Sequence, residues 1–375
     1  MERGRKMAEK NTRQANFELL RIIAMLMVIT MHFLSHTGAL PEAGPGKMPG
    51  ERELFGVLVE SFCIVAVNVY VLLSGYFLCE KEFSLKRLLR LIAQVLFYTI
   101  LIPVVLAAAG VISLSEALNL YHLWNCLFPV QSAHYWFVTA YVIMVLFSPV
   151  LNAAVKAMSR KQLKLTLICL LIFFCIGKSM SIILFSSDNY GYDYGWFLFL
   201  YLTAAYIRNY GSAFFSGKKR CALLYVGSCL AIALIVLACL FVCAKTGALE
   251  YYVNVPFHYN FVFVFTGAVA LFELFSRIRL RDSKLTRLIC RIAPATFGVY
   301  LIHEHADISM RWTDWLVGTP SAHLVGYLIQ MAESVVIVFV VCVCIDLLRA
   351  VLFRYAEKVL TKAIAGMRKN HQRKI

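Results

Sequence analysis

Continuous apolar runs of about 20 residues recur along this chain, and they limit its fold more than any other feature. A run of that length crosses a bilayer as an α-helix. A β-barrel would alternate apolar and polar residues over segments of about ten. Hydrophobic residues fill 61% of the 375 positions and charged residues 15%, against roughly 45–50% and about 25% in a soluble domain. One core cannot hide that excess. The expected fold is all-α: a polytopic integral membrane protein of about ten transmembrane helices. They fall near 17–36, 54–78, 91–112, 134–154, 165–186, 195–207, 221–243, 255–276, 292–310 and 322–348. The sixth is the shortest.

The formal net charge of +16 raises the question of nucleic acid, and the placement of the charge argues against it. Thirty-one of the 37 Lys and Arg residues fall before the first span, after the last, or in every second loop. Only Lys47, Arg52, Lys245 and Arg311 lie in the other loops, and Arg21 and Lys178 lie within spans. This is the positive-inside asymmetry, so both termini are expected in the cytosol of a multi-pass cell (inner, cytoplasmic) membrane protein. The bilayer is then a partner and nucleic acid is not. The sequence divides into a basic N-terminus (1–16), a transmembrane domain (17–348) and a basic tail (349–375) that can lie along an anionic leaflet. The first apolar run carries Arg21 and His32 and has no clear small-residue cleavage site, so it is expected to remain as helix one. The 12 cysteines sit mostly in spans and form no CxxC, as expected of buried thiols.

Charge inside a membrane helix costs about 2.5–3.5 kcal/mol per group, so each such group needs a reason. Glu18, Arg21, His32 and His36 fall within roughly 60° of one helix face, and Arg21 and His32 stand about 16 Å apart along it. That face must look into a protein-lined cavity. Arg21 either snorkels to the headgroups, paired with Glu18, or lines a substrate path. His32 is either a hydrogen-bonded core histidine or a catalytic base. His32 and His36 lack a convincing third ligand, so no metal is expected. Glu60 is an acidic candidate on the second span. The stretch NVYVLLSGYFL (68–78) ends in Ser74, Gly75 and Tyr76, where a Ser-Gly pair permits close packing or a turn. Arg87 and Arg90, at i and i+3, offer either a phosphate clamp or ordinary anchoring. His134 and Trp136 are interface-belt residues or a sugar-stacking platform. FGVYLIHEH (297–305) places His303, Glu304 and His305 at the outer end of the ninth span.

Together these stretches resemble acyltransferase family 3, bacterial integral-membrane O-acyltransferases of surface polysaccharides. NFELLRIIAMLMVITMH (16–32), with ten residues between Arg21 and His32, is similar to that family's first-helix motif. NVYVLLSGYFL, Arg87-Leu88-Leu89-Arg90, HYWFVTAYVIMVLFSPVL and TFGVYLIH follow in the family's order. The chain departs from the pattern in carrying Glu18 where many members have Asp, and in lacking a fused extracytoplasmic hydrolase-like domain. The resemblance implies transfer of an acyl group, most often acetyl, from cytosolic acyl-CoA to a hydroxyl of a cell-surface or exported carbohydrate. Acyl-CoA is then the donor substrate, with no tightly bound cofactor, and a separate extracytoplasmic partner protein is an open possibility. It implies His32 as base or acyl carrier, with Arg21 and Glu60 as supporting catalytic candidates. Arg87, Arg90, Ser74, Gly75 and Tyr76 fall to the donor, and His134, Trp136 and His303 to the acceptor. The alternative is a polysaccharide exporter or secondary transporter, which would show Gly- or Pro-broken helices in matching halves.

Overall fold

The computed structural model describes residues 14–132, 134–181 and 189–372, with side chains to 359. The basic stretch 1–13 and the end of the fifth expected span (182–186) lie outside the described residues. No strand occurs among those described. Helices of eight or more residues are numbered in chain order: α1 Ala15–His36, α2 Glu51–Cys63, α3 Ala66–Leu78, α4 Leu85–Ala108, α5 Leu120–Leu127, α6 Trp136–Ala157 and α7 Arg160–Leu171. There follow α8 Tyr194–Tyr210, α9 Lys218–Thr246, α10 Val262–Ser276, α11 Lys284–Ile292, α12 Thr296–His303 and α13 Leu324–Gln372.

Among the described residues nine helical stretches are long and apolar enough to cross a membrane. The sixth expected span is α8, whose 17 residues reach about 26 Å, at the short end of the transmembrane range. The chain is therefore a multi-pass helical membrane protein. α2 and α3 form one span interrupted by a turn at 64–65. α4 begins earlier than the apolar run, because the Ser84 side chain caps it by accepting from the Arg87 N–H. No break marks the expected boundary at 348. α13 continues for 49 residues, about 74 Å, so it extends well beyond a hydrocarbon layer of roughly 30 Å.

α1 is the hub. It packs against α2, α3, α10, α11, α12 and α13. Its Leu20, Ala24, Ile29, Phe33 and Leu34 are fully buried, which places its polar stripe inside protein rather than lipid. Cross-links between elements define two ends of the bundle. At the end bearing the N-terminus, Arg208 meets Glu80 at 2.6 Å, Asn152 donates to the Lys81 carbonyl and Asn16 to the Phe275 carbonyl. At the opposite end, Thr37 shares a 2.7 Å hydrogen bond with Tyr327, and His122 approaches Asp307 at 3.3 Å. Gly75 fits where α3 closes on α8. A Cβ there would meet the Tyr201 backbone at 2.9 Å, so a small residue is required.

Candidate active site

The polar stripe of α1 divides into two sites. Near the N-terminal end, Arg21 donates to Glu18 at 2.9 Å, one turn away on the same helix. Tyr70 of α3 donates to the Arg21 carbonyl at 2.7 Å, which fixes the two helices side by side. Three turns on, His32 meets α12 where that helix ends. Its Nδ1 lies 3.0 Å from His303 Nε2 and 2.9 Å from Glu304 Oε1. His303 Nδ1 is 2.6 Å from the Val299 carbonyl and must donate its proton there. His303 Nε2 is then an acceptor, which assigns the shared proton to His32 Nδ1. The glutamate contact is a close charge contact off the hydrogen-bond line. Nε2 is the His32 nitrogen left for a substrate.

Burial sharpens the division of labour. His303 is buried to 1% exposure, whereas the His32 and Glu304 side chains keep 25% and 23%. A positioned inner imidazole thus supports an accessible one. His36 stacks one turn beyond, with ring centroids 6.1 Å apart. The ligand atoms of His32, His303 and Glu304 lie within 4.8 Å of one another, a set that a divalent cation accepts. The His32–His303 hydrogen bond engages two of those atoms without one.

A chamber of ≈50 Å³ opens beside His32, walled by Trp136, Phe137, Tyr259, Phe297 and Tyr300. Trp136 stacks on Tyr259 at 5.6 Å and lies 4.5 Å from Tyr192. Tyr135, next in sequence, donates to the Leu301 carbonyl at 2.6 Å and so holds α6 against α12.

The remaining sequence candidates are scattered. Trp136 shares the chamber with His32, and His303 touches it directly. His134 instead packs its ring on His305 at 4.6 Å. Glu60 is buried to 6% exposure on α2, one turn before the α2–α3 break, and no contact among the described residues joins it to His32. Ser74 donates to the Tyr70 carbonyl within its own helix. Tyr76 packs among Phe17, Phe77 and Phe272, with the Arg208 guanidinium 4.5 Å above its ring. Arg87 and Arg90 do not converge. Arg87 turns back to the Glu82 carbonyl, while Arg90 crosses to Glu357 of α13 at 2.5 Å. Glu304, noted in the sequence beside His303 and His305 but given no role there, is the acid that meets His32. Its signal was an acid between two histidines where an apolar helix stops.

A bundle of apolar helices holds a hydrogen-bonded histidine pair, one of whose members, His32, lines a small chamber. The chain belongs to acyltransferase family 3: it matches that family's model, described as an acyltransferase domain, over residues 14–349. No curated protein and no solved structure matches it. The match covers nearly the whole bundle, including α1 and α12, so the protein is an acyltransferase.

Proposed function

We propose that this membrane protein transfers an acetyl group from acyl-CoA to a hydroxyl of a cell-surface or exported carbohydrate. The observation that carries the reading is the engagement of His32 Nδ1 by both His303 and Glu304. An imidazole held at one nitrogen presents the other in a fixed direction, as a general base requires. His32 Nε2 takes the hydroxyl proton, and the oxygen attacks the thioester carbonyl. The tetrahedral intermediate collapses with cleavage of the C–S bond, and the CoA thiolate leaves with that proton. The negative charge of Glu304 stabilises the imidazolium formed in between.

The basic N-terminal end would face the cytosol of the inner membrane, where acyl-CoA is made. The acceptor would enter from the end where Trp136 and Tyr192 offer aromatic faces to a sugar ring. An extracytoplasmic partner protein would act at that end.

The chamber favours a short acyl group. One water occupies on the order of 10–15 Å³ by the same measure, so ≈50 Å³ admits only a few heavy atoms. Protein in liposomes, given radiolabelled acetyl-CoA and a surface-glycan extract, is expected to move label into alkali-labile ester on glycan. Octanoyl-CoA should turn over about 100-fold more slowly. Thioester loss without label on glycan would remove the carbohydrate acceptor. No thioester loss with any chain length would remove the reading.

Glu304 acts through His32, and its test separates positioning from folding. Glu304→Gln keeps the side-chain volume but loses the charge. It is expected to lower kcat by about 100-fold with an unchanged KM for acetyl-CoA. A raised KM with unchanged kcat would assign Glu304 to donor binding instead.

A further inference from the structure

A large cavity lies away from His32. It is a groove of ≈1060 Å³ between α4 and the part of α13 beyond Asp346, at the N-terminal end of the bundle. Its size is at the upper end of small-molecule sites, roughly 300–1,000 Å³. Four cationic side chains line it: Lys86 and Arg90 on α4, and Arg349 and Arg354 on α13. At its exposed mouth Glu357 bridges Lys86 at 3.2 Å and Arg90 at 2.5 Å. Phe297 of α12 lines the groove, and Phe297 also walls the His32 chamber. The cationic groove and the His32 chamber therefore share Phe297 as a wall residue. Along α12, Phe297 lies six residues before His303, a rise of about 9 Å.

Arg349 differs from the other three cations. Its side chain is 11% exposed, against 57% for Arg90 and 71% for Lys86. Asp346, only 2% exposed, receives Arg349 Nε on Oδ1 at 2.8 Å and a terminal guanidinium nitrogen on Oδ2 at 3.0 Å. The same Oδ1 accepts from Gln94 at 2.9 Å and from Tyr98 at 2.8 Å. Four hydrogen bonds thus lock a buried carboxylate, and through it one guanidinium, in a single orientation. The other terminal nitrogen of Arg349 remains for the groove. Anchoring to a headgroup layer needs no such fixed orientation, and long basic side chains that anchor are left mobile. A rigid guanidinium beside mobile cations fits an extended ligand that carries several phosphates and enters in one register.

We propose that this groove binds the nucleotide-phosphate half of the acyl-CoA donor, with Arg349, positioned by Asp346, as the phosphate ligand nearest the reacting thioester. The pantetheine arm then passes Phe297 to deliver the thioester carbonyl to His32. The inference rests on the acyl-CoA reading of the donor. Lys86 and Arg90 exchange Glu357 for the outer phosphates, and Asp346 is a positioning residue that touches no substrate.

The test is equilibrium binding of CoA, and of pantetheine, which has no phosphate, to full-length protein in nanodiscs. Wild type is expected to bind CoA far more tightly than pantetheine. Arg349→Gln should weaken CoA by about tenfold or more and leave pantetheine unchanged. Arg349→Lys should recover part of the loss. Arg160→Gln, an exposed cation outside the groove, should bind CoA as wild type does. Asp346→Asn should raise the KM for acetyl-CoA with kcat nearly unchanged, which a loss of folded protein would not do. If Arg349→Gln fails to fold, Arg90→Gln and Arg354→Gln carry the same expectation from exposed positions. A folded Arg349→Gln that binds CoA as wild type does overturns the inference and leaves the acyl-CoA reading standing. CoA binding that falls in step with added anionic lipid, equally in wild type and Arg349→Gln, assigns the groove to headgroups and overturns it as well. Wild type that neither binds CoA nor consumes any acyl-CoA defeats the donor reading itself.

Discussion

His32→Ala is expected to lower acyl transfer by about three orders of magnitude while the protein still folds and still binds its donor. The magnitude follows from the role. A general base in this position contributes roughly 10²–10⁴-fold, and no neighbour can replace it. Among the described residues His303 Nε2 is the imidazole nitrogen hydrogen-bonded to His32, buried and turned toward it, and His36, stacked one turn beyond, does not line the chamber. The fold should survive because alanine favours a helix and the His32 side chain is a quarter exposed, so its loss leaves little closed cavity. The measurement is single-turnover transfer from radiolabelled acetyl-CoA in liposomes, beside CoA binding and a melting curve. Transfer within about tenfold of wild type would displace His32 from the chemistry. His32→Gln, which keeps a hydrogen-bond donor but no base, should be as inactive as alanine. Label retained on wild-type protein after denaturation, and absent from His32→Ala, would make His32 the acyl carrier rather than the base.

The α1 stripe was legible because helical periodicity is local: four residues of one segment determine a face. Its partner was not. His303 and Glu304 reach His32 across 271 positions of sequence, and no spacing rule relates two helices that meet only in the folded bundle. Glu60 had suitable chemistry and depth on a neighbouring span. The helix on which it sits packs against α1 without bringing it to His32, and Glu304 makes the contact instead. The Arg87–Arg90 pair shows the same limit at shorter range. An i,i+3 spacing puts two cations on one side of a helix, but the Glu82 carbonyl draws one back and Glu357 draws the other across. Arg349 was hidden by the charge asymmetry of the loops. As one of 31 basic residues on one side it reads as an anchor, and only Asp346, an acid inside an apolar run three residues earlier, marks it as different. The reach of α13 followed from a signal of absence: no proline interrupts 324–372, so nothing stops the helix where the hydrocarbon ends.

The contact between α12 and α13 supports a second large effect, this time on stability. A Cβ built on Gly298 would lie 2.1 Å from Asp346 Oδ1, 2.2 Å from its Cγ and 2.6 Å from its Cβ. Those atoms have no room to yield, because Gln94, Tyr98 and Arg349 hold the carboxylate in place. Gly298→Ala must therefore push α12 from α13 or break the buried hydrogen bonds of Asp346. Either course is expected to cost about 3 kcal/mol, the upper end of overpacking penalties. It should appear as a lowered Tm in detergent and as weaker activity in whatever protein remains folded, since Phe297 and His303 ride on the same short helix. The steric origin is separable from a propensity effect, because alanine is the better helix former and would otherwise stabilise. Asp346→Gly removes all three obstructing atoms at the cost of the network. If the clash is the cause, Gly298→Ala should cost much less in an Asp346→Gly background than in wild type, a coupling of about 1–3 kcal/mol. Additive losses, or a Gly298→Ala protein as stable as wild type, would mean that α12 and α13 are not held this closely, and that Asp346 has freedom to swing away from Arg349.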